Sequence, residues 1–197
     1  MMKITLYYLA CILLLLLNTN SVAKETIQEQ SKEKLTEVIF LPTIHSNHLK
    51  STSYSLSRLE EVLREIKPDT ICTEIVPSSL AKYNKGEKDK RLSLFPEYMK
   101  VILPLQDELK YKVIPCSAYS PKVNFRTVGV AKMTKAHSEK ISAHLDTCKG
   151  EGKKVLITFG GGHISGLVKH LSTRTDINIT DYRPILNKQI KKTSLKN

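Results

Sequence analysis

The sequence contains no tryptophan among its 197 residues, and aromatic side chains make up only 6% of it. A nucleic-acid site of stacked aromatics interleaved with bases therefore has little to draw on, although Lys and Arg outnumber Asp and Glu by 31 to 19 for a net charge of +12. No nucleic-acid partner is expected. Cysteine is scarce too, at four residues. Cys11 falls in the N-terminal apolar segment, and Cys72, Cys116 and Cys148 match no zinc spacing. Three cysteines cannot form a closed disulfide framework, although an oxidising compartment would permit one bridge between some pair of them. Also missing is the Lys-Ser/Thr of a P-loop after the glycines of "GGGHISG", and Asp176 and Asp181 do not stand where a dinucleotide fold needs its acid. The apolar run from Ile4 to Leu17 is shorter than the roughly 20 residues of a spanning helix.

That short run has a different reading. Residues 1–23, "MMKITLYYLACILLLLLNTNSVA", show a basic start, an apolar middle and a small-residue end at Ser21-Val22-Ala23. This is the layout of a cleavable secretory signal cut after Ala23, with export to a periplasmic or extracellular space; an uncleaved N-terminal membrane anchor is the alternative. The remainder is long enough for one domain with a full core and short for two. The expected organisation is a signal over 1–23, a linker over 24–36, one domain over 37–184 and a basic tail over 185–197. The tail "NKQIKKTSLKN" (187–197) carries bases without acids and would be drawn to an anionic lipid or polymer surface.

Within the domain, strand and helix patterns alternate. Apolar strands are expected at 38–42, 70–75, 112–115, 154–159 and 177–182. Leu56, Leu59, Val62, Leu63 and Ile66 recur on one helical face, which Pro68 ends. Further helices are expected at 97–111, kinked at Pro104, at about 128–149, and at 163–171. Alternation of this kind implies an α/β fold: a mostly parallel central sheet of about five strands with helices on both faces. Sites in such folds form beyond the carboxyl ends of the strands.

That rule selects the polar residues that matter. Strand one ends in "PTIHSNH" with His45 and His48, and strand two at Glu74. Strand three ends at "PCSAYS" with Ser117 and Tyr119, and strand four at "GGGH" with His163. His45, Glu74 and His163 form a mixed set of the kind that holds a divalent ion such as zinc and leaves a position for water. Such an ion supports hydrolytic chemistry. Each residue also has a plainer reading: Glu74 at an exposed strand end pairing with a lysine, His163 simply opening a helix, His48 as a loop residue. Gly160, Gly161 and Gly162 serve either as a tight turn or as an anion cradle at a helix N-terminus. His137, His144 and Cys148 have helical spacing for a second metal group, along the edge of a basic amphipathic helix.

Three blocks in order, "FLPTIHSNHLKSTSYSLSRLEEVLREIKPDTICTEIVPSSL", a middle region and "VLITFGGGHISGLVKHL", resemble the TraB/PrgY–GumN family and its relatives the Tiki proteases, within a wider group of ChaN-like and erythromycin-esterase-like proteins. That family has G-x-x-H after the first strand, "PD…E" at the second and another G-x-x-H near the end. The counterparts here are Pro42-Thr43-Ile44-His45, Pro68-Asp69 with Glu74, and Gly160-Gly161-Gly162-His163. The resemblance implies a metal-dependent hydrolase or peptidase acting on a peptide or small ester. Its catalytic and metal residues would be His45, Glu74 and His163, with an ion of the zinc, manganese or cobalt class. Ser53 is a weaker carry-over. Pro42 replaces the family's first glycine, and the Arg usual after the glutamate is absent, leaving Arg126 or Arg58 to substitute. An alternative function is a non-catalytic exported protein on the same scaffold that sequesters a peptide or anionic ligand.

Overall fold

A computed structural model describes residues 34–120, 123–184 and 187; the signal segment, the first part of the linker and nearly all of the basic tail lie outside the described residues. Five strands, β1 (Thr36–Thr43), β2 (Thr70–Thr73), β3 (Lys112–Pro115), β4 (Lys154–Gly160) and β5 (Ile177–Thr180), form one sheet in the order β3-β2-β4-β1-β5. Every neighbouring pair is parallel, so the expected α/β architecture is the one observed.

The strands are apolar on both sides because both sides are covered. Ile39 and Leu41 of β1, Ile71 of β2, Val113 of β3 and Leu156 of β4 point to one face. That face packs on α1 (Leu56–Ile66), through Leu59, Val62, Leu63 and Ile66, and on the segment Tyr98–Ile102 running into α3 (Leu103–Leu109). A short helix absent from the sequence reading, α2 (Pro77–Asn84), adds Leu80 and Tyr83 at its margin. Alternate residues Val38, Phe40, Cys72, Val155, Ile157 and Phe159 point the other way, onto α4 (Phe125–Asp146) and α5 (Gly161–Leu171). The period-two alternation sends each strand's side chains into two separate cores.

Two expected helices are interrupted for identifiable reasons. The Pro104 kink is instead a π-type turn over Tyr98–Ile102, after which Pro104 sits in the first turn of α3, where its missing N–H is not needed. Helix α4 begins earlier than Val128, with Asn124 and Thr127 forming a capping box, and it breaks at Gly129, whose φ of 75° is left-handed. Cys72, Cys116 and Cys148 are all buried free thiols. None of the described helices is long and apolar enough to cross a membrane.

The topology also sets where a site can form. The chain leaves β1 and β2 toward the α1 face and leaves β4 toward the α5 face, so a crevice opens at the carboxyl ends of these three adjacent strands. Tyr98 braces it from below. Its hydroxyl donates to the Thr158 carbonyl at 2.8 Å and accepts the Glu74 N–H at 3.0 Å, tying the end of β2 to β4. Burial, with the Glu74 and Glu97 charges nearby, raises the phenol pKa well above its usual value, so the hydroxyl keeps its proton. Tyr98→Phe leaves both backbone groups without that partner and is expected to cost about 1–3 kcal/mol in urea unfolding; an unchanged midpoint would refute the brace.

Candidate metal centre

His45, Glu74 and His163 each stand just beyond a different strand at the crevice, with Glu74 between the two histidines. After β1 the backbone turns through His45 in the left-handed region, φ 50°, and enters a 3-10 turn over His45–Leu49. Histidine is one of the few residues that tolerates this conformation. Glu74 follows β2, and its Oε2 accepts the Gly160 N–H at 2.8 Å. The same oxygen lies 3.9 Å from His45 Nε2, while Oε1 lies 3.7 Å from His163 Nε2. One carboxylate thus stands between two imidazoles.

The glycines contribute space and not a special turn. The chain passes directly from β4 at Gly160 into α5 at Gly161, and Gly160 does so with ordinary dihedrals, φ −51° and ψ 136°. A Cβ there would fall 2.5 Å from His45 Nε2 and 3.3 Å from Glu74 Oε2, so any side chain would occupy the place of the imidazole. Gly161 and Gly162 open the first turn of α5, and Gly162 has open space around its Cα.

Hydrogen bonds behind each ring determine which nitrogen carries the proton. His45 Nδ1 lies 2.7 Å from Oε1 of the fully buried Glu97; a carboxylate accepts, so Nδ1 donates and Nε2 presents its lone pair toward Glu74. His163 Nδ1 lies 2.6 Å from the Thr134 hydroxyl, which already donates to the Val130 carbonyl at 2.8 Å. With that hydrogen on Val130, Thr134 accepts from His163 Nδ1, and Nε2 of His163 faces Glu74. This bond needs close helix packing, which Gly166 permits: a Cβ there would stand 2.8 Å from Thr134 Cγ2. His137 is the reverse case. Its Nδ1 accepts the Ala118 N–H at 2.9 Å, which puts the ring proton on Nε2. That Nε2 is buried without a partner.

The rings differ in charge for physical reasons. Burial works against a charged His45, but the hydrogen bond and charge of Glu97, with Glu74 behind, raise its pKa overall. Burial lowers His137 to about 4, and the neighbouring His163 and Lys140 act in the same direction, so this ring is neutral near pH 7.

By distance, Glu74, His137 and His163 form a group whose ligand atoms all lie within 4.8 Å, close enough to share a metal ion. His45 approaches Glu74 from the cleft side. That cleft, about 420 Å³, is lined by Ile44, Asn47, Val130 and Gly160–His163 with His45 and Glu74. A second cleft of about 270 Å³ shares Glu74 and His163 and is walled by Arg91, Phe95, Tyr119 and Met133. The Glu74–His163 pair is the partition between them.

The remaining candidates lie as follows. His48 is buried, with Nδ1 donating to the Tyr54 carbonyl at 2.9 Å and Nε2 accepting the Ile44 N–H at 3.2 Å, which engages both ring nitrogens with backbone. Ser53 is exposed, with its hydroxyl 3.5 Å from that of Ser51. Ser117 is buried and accepts the Tyr119 N–H, while Tyr119 lies under the Arg91 guanidinium at 4.3 Å. Arg126 is exposed in the first turn of α4, and Arg58 pairs with Glu61. The grouping of His137 with His144 and Cys148 does not form: His144 Nε2 lies 3.7 Å from Cys148 Sγ and 3.1 Å from the Thr70 hydroxyl, whereas His137 joins Glu74 and His163. His137, Glu97 and Thr134 are the residues that sequence reasoning missed as parts of this site. A signal existed for His137, since Met133, His137, Ile141 and Leu145 are spaced by four on one buried stripe of α4. Glu97 in "LFPEYM" is an acid enclosed by apolar neighbours.

Comparison with protein-family models, with curated proteins and with solved structures finds no match for this chain.

The lowered pKa of His137 predicts the pH response. Because the unfolded ring titrates near 6.5 and the folded one near 4, its contribution is complete above pH 6.5 and is lost as pH falls toward 4, by about 3 kcal/mol in all. His48 and His144, lowered by burial, act in the same direction, while His45, with its raised pKa, acts in the opposite one. The His137 Cε1–H resonance should stay flat from pH 7.5 to 5; a titration step near 6.5 would contradict this burial.

Proposed function

We propose that this protein is an exported metal-dependent hydrolase of peptides or small esters, with His45, Glu74 and His163 as the ligand set. The observation that carries the reading is the pair of imidazoles whose Nδ1 protons are tied behind them and whose Nε2 lone pairs face opposite oxygens of one carboxylate. Each histidine is within reach of the carboxylate, and binding one ion would draw His45 in toward His163, since among the described residues only Glu74, His137 and His163 have ligand atoms all within 4.8 Å of one another. Ligand atoms on a tetrahedral zinc stand about 3.4 Å apart, and the two N···O separations here are 3.7 and 3.9 Å. A carboxylate behind one ligand histidine and a hydroxyl behind the other are the outer-shell partners that metal sites use to orient imidazoles. When bound, such an ion polarises a carbonyl group and acidifies water.

The protein's own groups supply the rest. The Gly160 N–H fixes the rotation of Glu74, and Glu97 and Thr134 hold the Nδ1 side of each ring so that Nε2 faces the carboxylate. The His45 side chain, 36% exposed, forms the solvent side of the site, whereas Glu74 and His163 are enclosed to 13% and 14%. A substrate entering over His45 would meet Ile44 and Val130 in one cleft and could extend past the Glu74–His163 partition toward Phe95, Met133 and Arg91 in the other. An apolar residue on one side of a peptide or ester bond suits that second cleft. The resemblance to TraB/GumN proteins converges on the same three residues, and the signal-like N-terminus supports a substrate outside the cytoplasm.

Calorimetric titration of metal-stripped protein with Zn²⁺ or Mn²⁺ tests the reading. One ion should bind per chain, with affinity falling at least about tenfold in His45→Ala, His163→Ala and Glu74→Gln. Gly160→Ala should weaken binding as well, because its Cβ lands on the His45 ring. A wild-type protein that takes up no ion, or variants that bind undiminished, would sink the assignment. Hydrolysis of a fluorogenic peptide or p-nitrophenyl ester panel should appear with the metal and vanish with a chelator.

A further inference from the structure

The group closest to sharing an ion by distance contains one member whose chemistry does not suit ligation. His137 Nδ1 is already an acceptor for the Ala118 N–H, so its Nε2 carries a proton and has no lone pair to offer. Coordination through Nε2 would require moving that proton to Nδ1, against another N–H. Yet Nε2 is fully buried and lacks a partner, and the His137 ring offers a ligand atom within 4.8 Å of those of Glu74 and His163. A buried donor left unpaired in this way costs about 1–3 kcal/mol unless something in that space accepts from it.

The chemistry of the donor indicates what that something is: a buried N–H is satisfied by an acceptor oxygen about 2.7–3.2 Å away, and three groups with ligand atoms within 4.8 Å of one another can share one such oxygen. We infer that His137 is the donor of an oxygen-binding subsite, its Nε2–H holding one oxygen of water, of a carboxylate or of a substrate carbonyl against Glu74 and His163. In the metal-free protein a single water satisfies all three groups: it donates to Glu74 Oε1 and to His163 Nε2 and accepts from His137. In a bound peptide or ester the same N–H faces the carbonyl oxygen, where a preorganised donor is most useful as negative charge develops. The catalytic meaning rests on the hydrolase reading; the donor role does not.

Long-range ¹H–¹⁵N NMR of the histidines, with and without Zn²⁺, distinguishes the two. His137 should show a protonated Nε2 in both states while the Nε2 signals of His45 and His163 move on adding Zn²⁺. Acetate, as a carboxylate probe, should shift the His137 Nε2–H signal in a saturable way. In the variant His137→Gln, which keeps an N–H donor, the Zn²⁺ stoichiometry should remain one. An unprotonated His137 Nε2, a ligand-type shift there on adding Zn²⁺, or no response to acetate overturns the inference. If His137 behaves as stated and no histidine responds to Zn²⁺, the metal assignment fails while the donor stands.

Discussion

The site depends on one hydrogen bond, from the Gly160 N–H to Glu74 Oε2 at 2.8 Å. It crosses from the end of β4 to the end of β2 and fixes a carboxylate at the mouth of the sheet, where an ionised group needs partners to offset its lost hydration. The absence of a side chain at residue 160 leaves room for the imidazole beside this bond, since a Cβ would stand 2.5 Å from His45 Nε2 and 3.3 Å from Glu74 Oε2. Parallel pairing of β2 and β4 brings the two strand ends level, and Tyr98 locks them with its own pair of backbone bonds. With the carboxylate fixed, the two imidazoles can address its separate oxygens.

Behind that carboxylate, the chemistry is decided by groups that never face the cleft. Glu97 accepts from His45, Thr134 accepts from His163, and the Ala118 backbone donates to His137. Three rings of one residue type thereby become two lone-pair donors and one N–H donor. The difference lies in a backbone N–H and a threonine whose own hydrogen already points at Val130. A metal reading based on distance alone would place His137 among the ligands; the hydrogen-bond directions favour His45.

Much of the fold was legible because both faces of the sheet are covered. Buried strands read as continuous apolar runs, and β3 fell on the expected residues Lys112–Pro115. For the same reason strand order was not legible: strands apolar throughout carry little information about their neighbours, and only the fold shows that β4 lies between β1 and β2. The strand-end rule located His45, Glu74 and His163 because each follows its strand by only a few residues. Glu97 and Thr134 follow no strand; they reach the site from helical segments packed on opposite faces. His137 was read at the edge of α4 although it sits in the middle of the buried stripe, because a polar residue on an apolar helical face gives no sign of what it faces.

In the proposed reading, an ion sits between Glu74 and the Nε2 atoms of His45 and His163, with His137 beside it as a donor. Anomalous scattering from crystals of the zinc-loaded protein tests this most directly. The account predicts one strong peak within bonding distance of His45 Nε2, Glu74 and His163 Nε2, with His137 Nε2 farther away. A peak bonded to His137 Nε2, a peak at His144 and Cys148, or no peak in the crevice would contradict it.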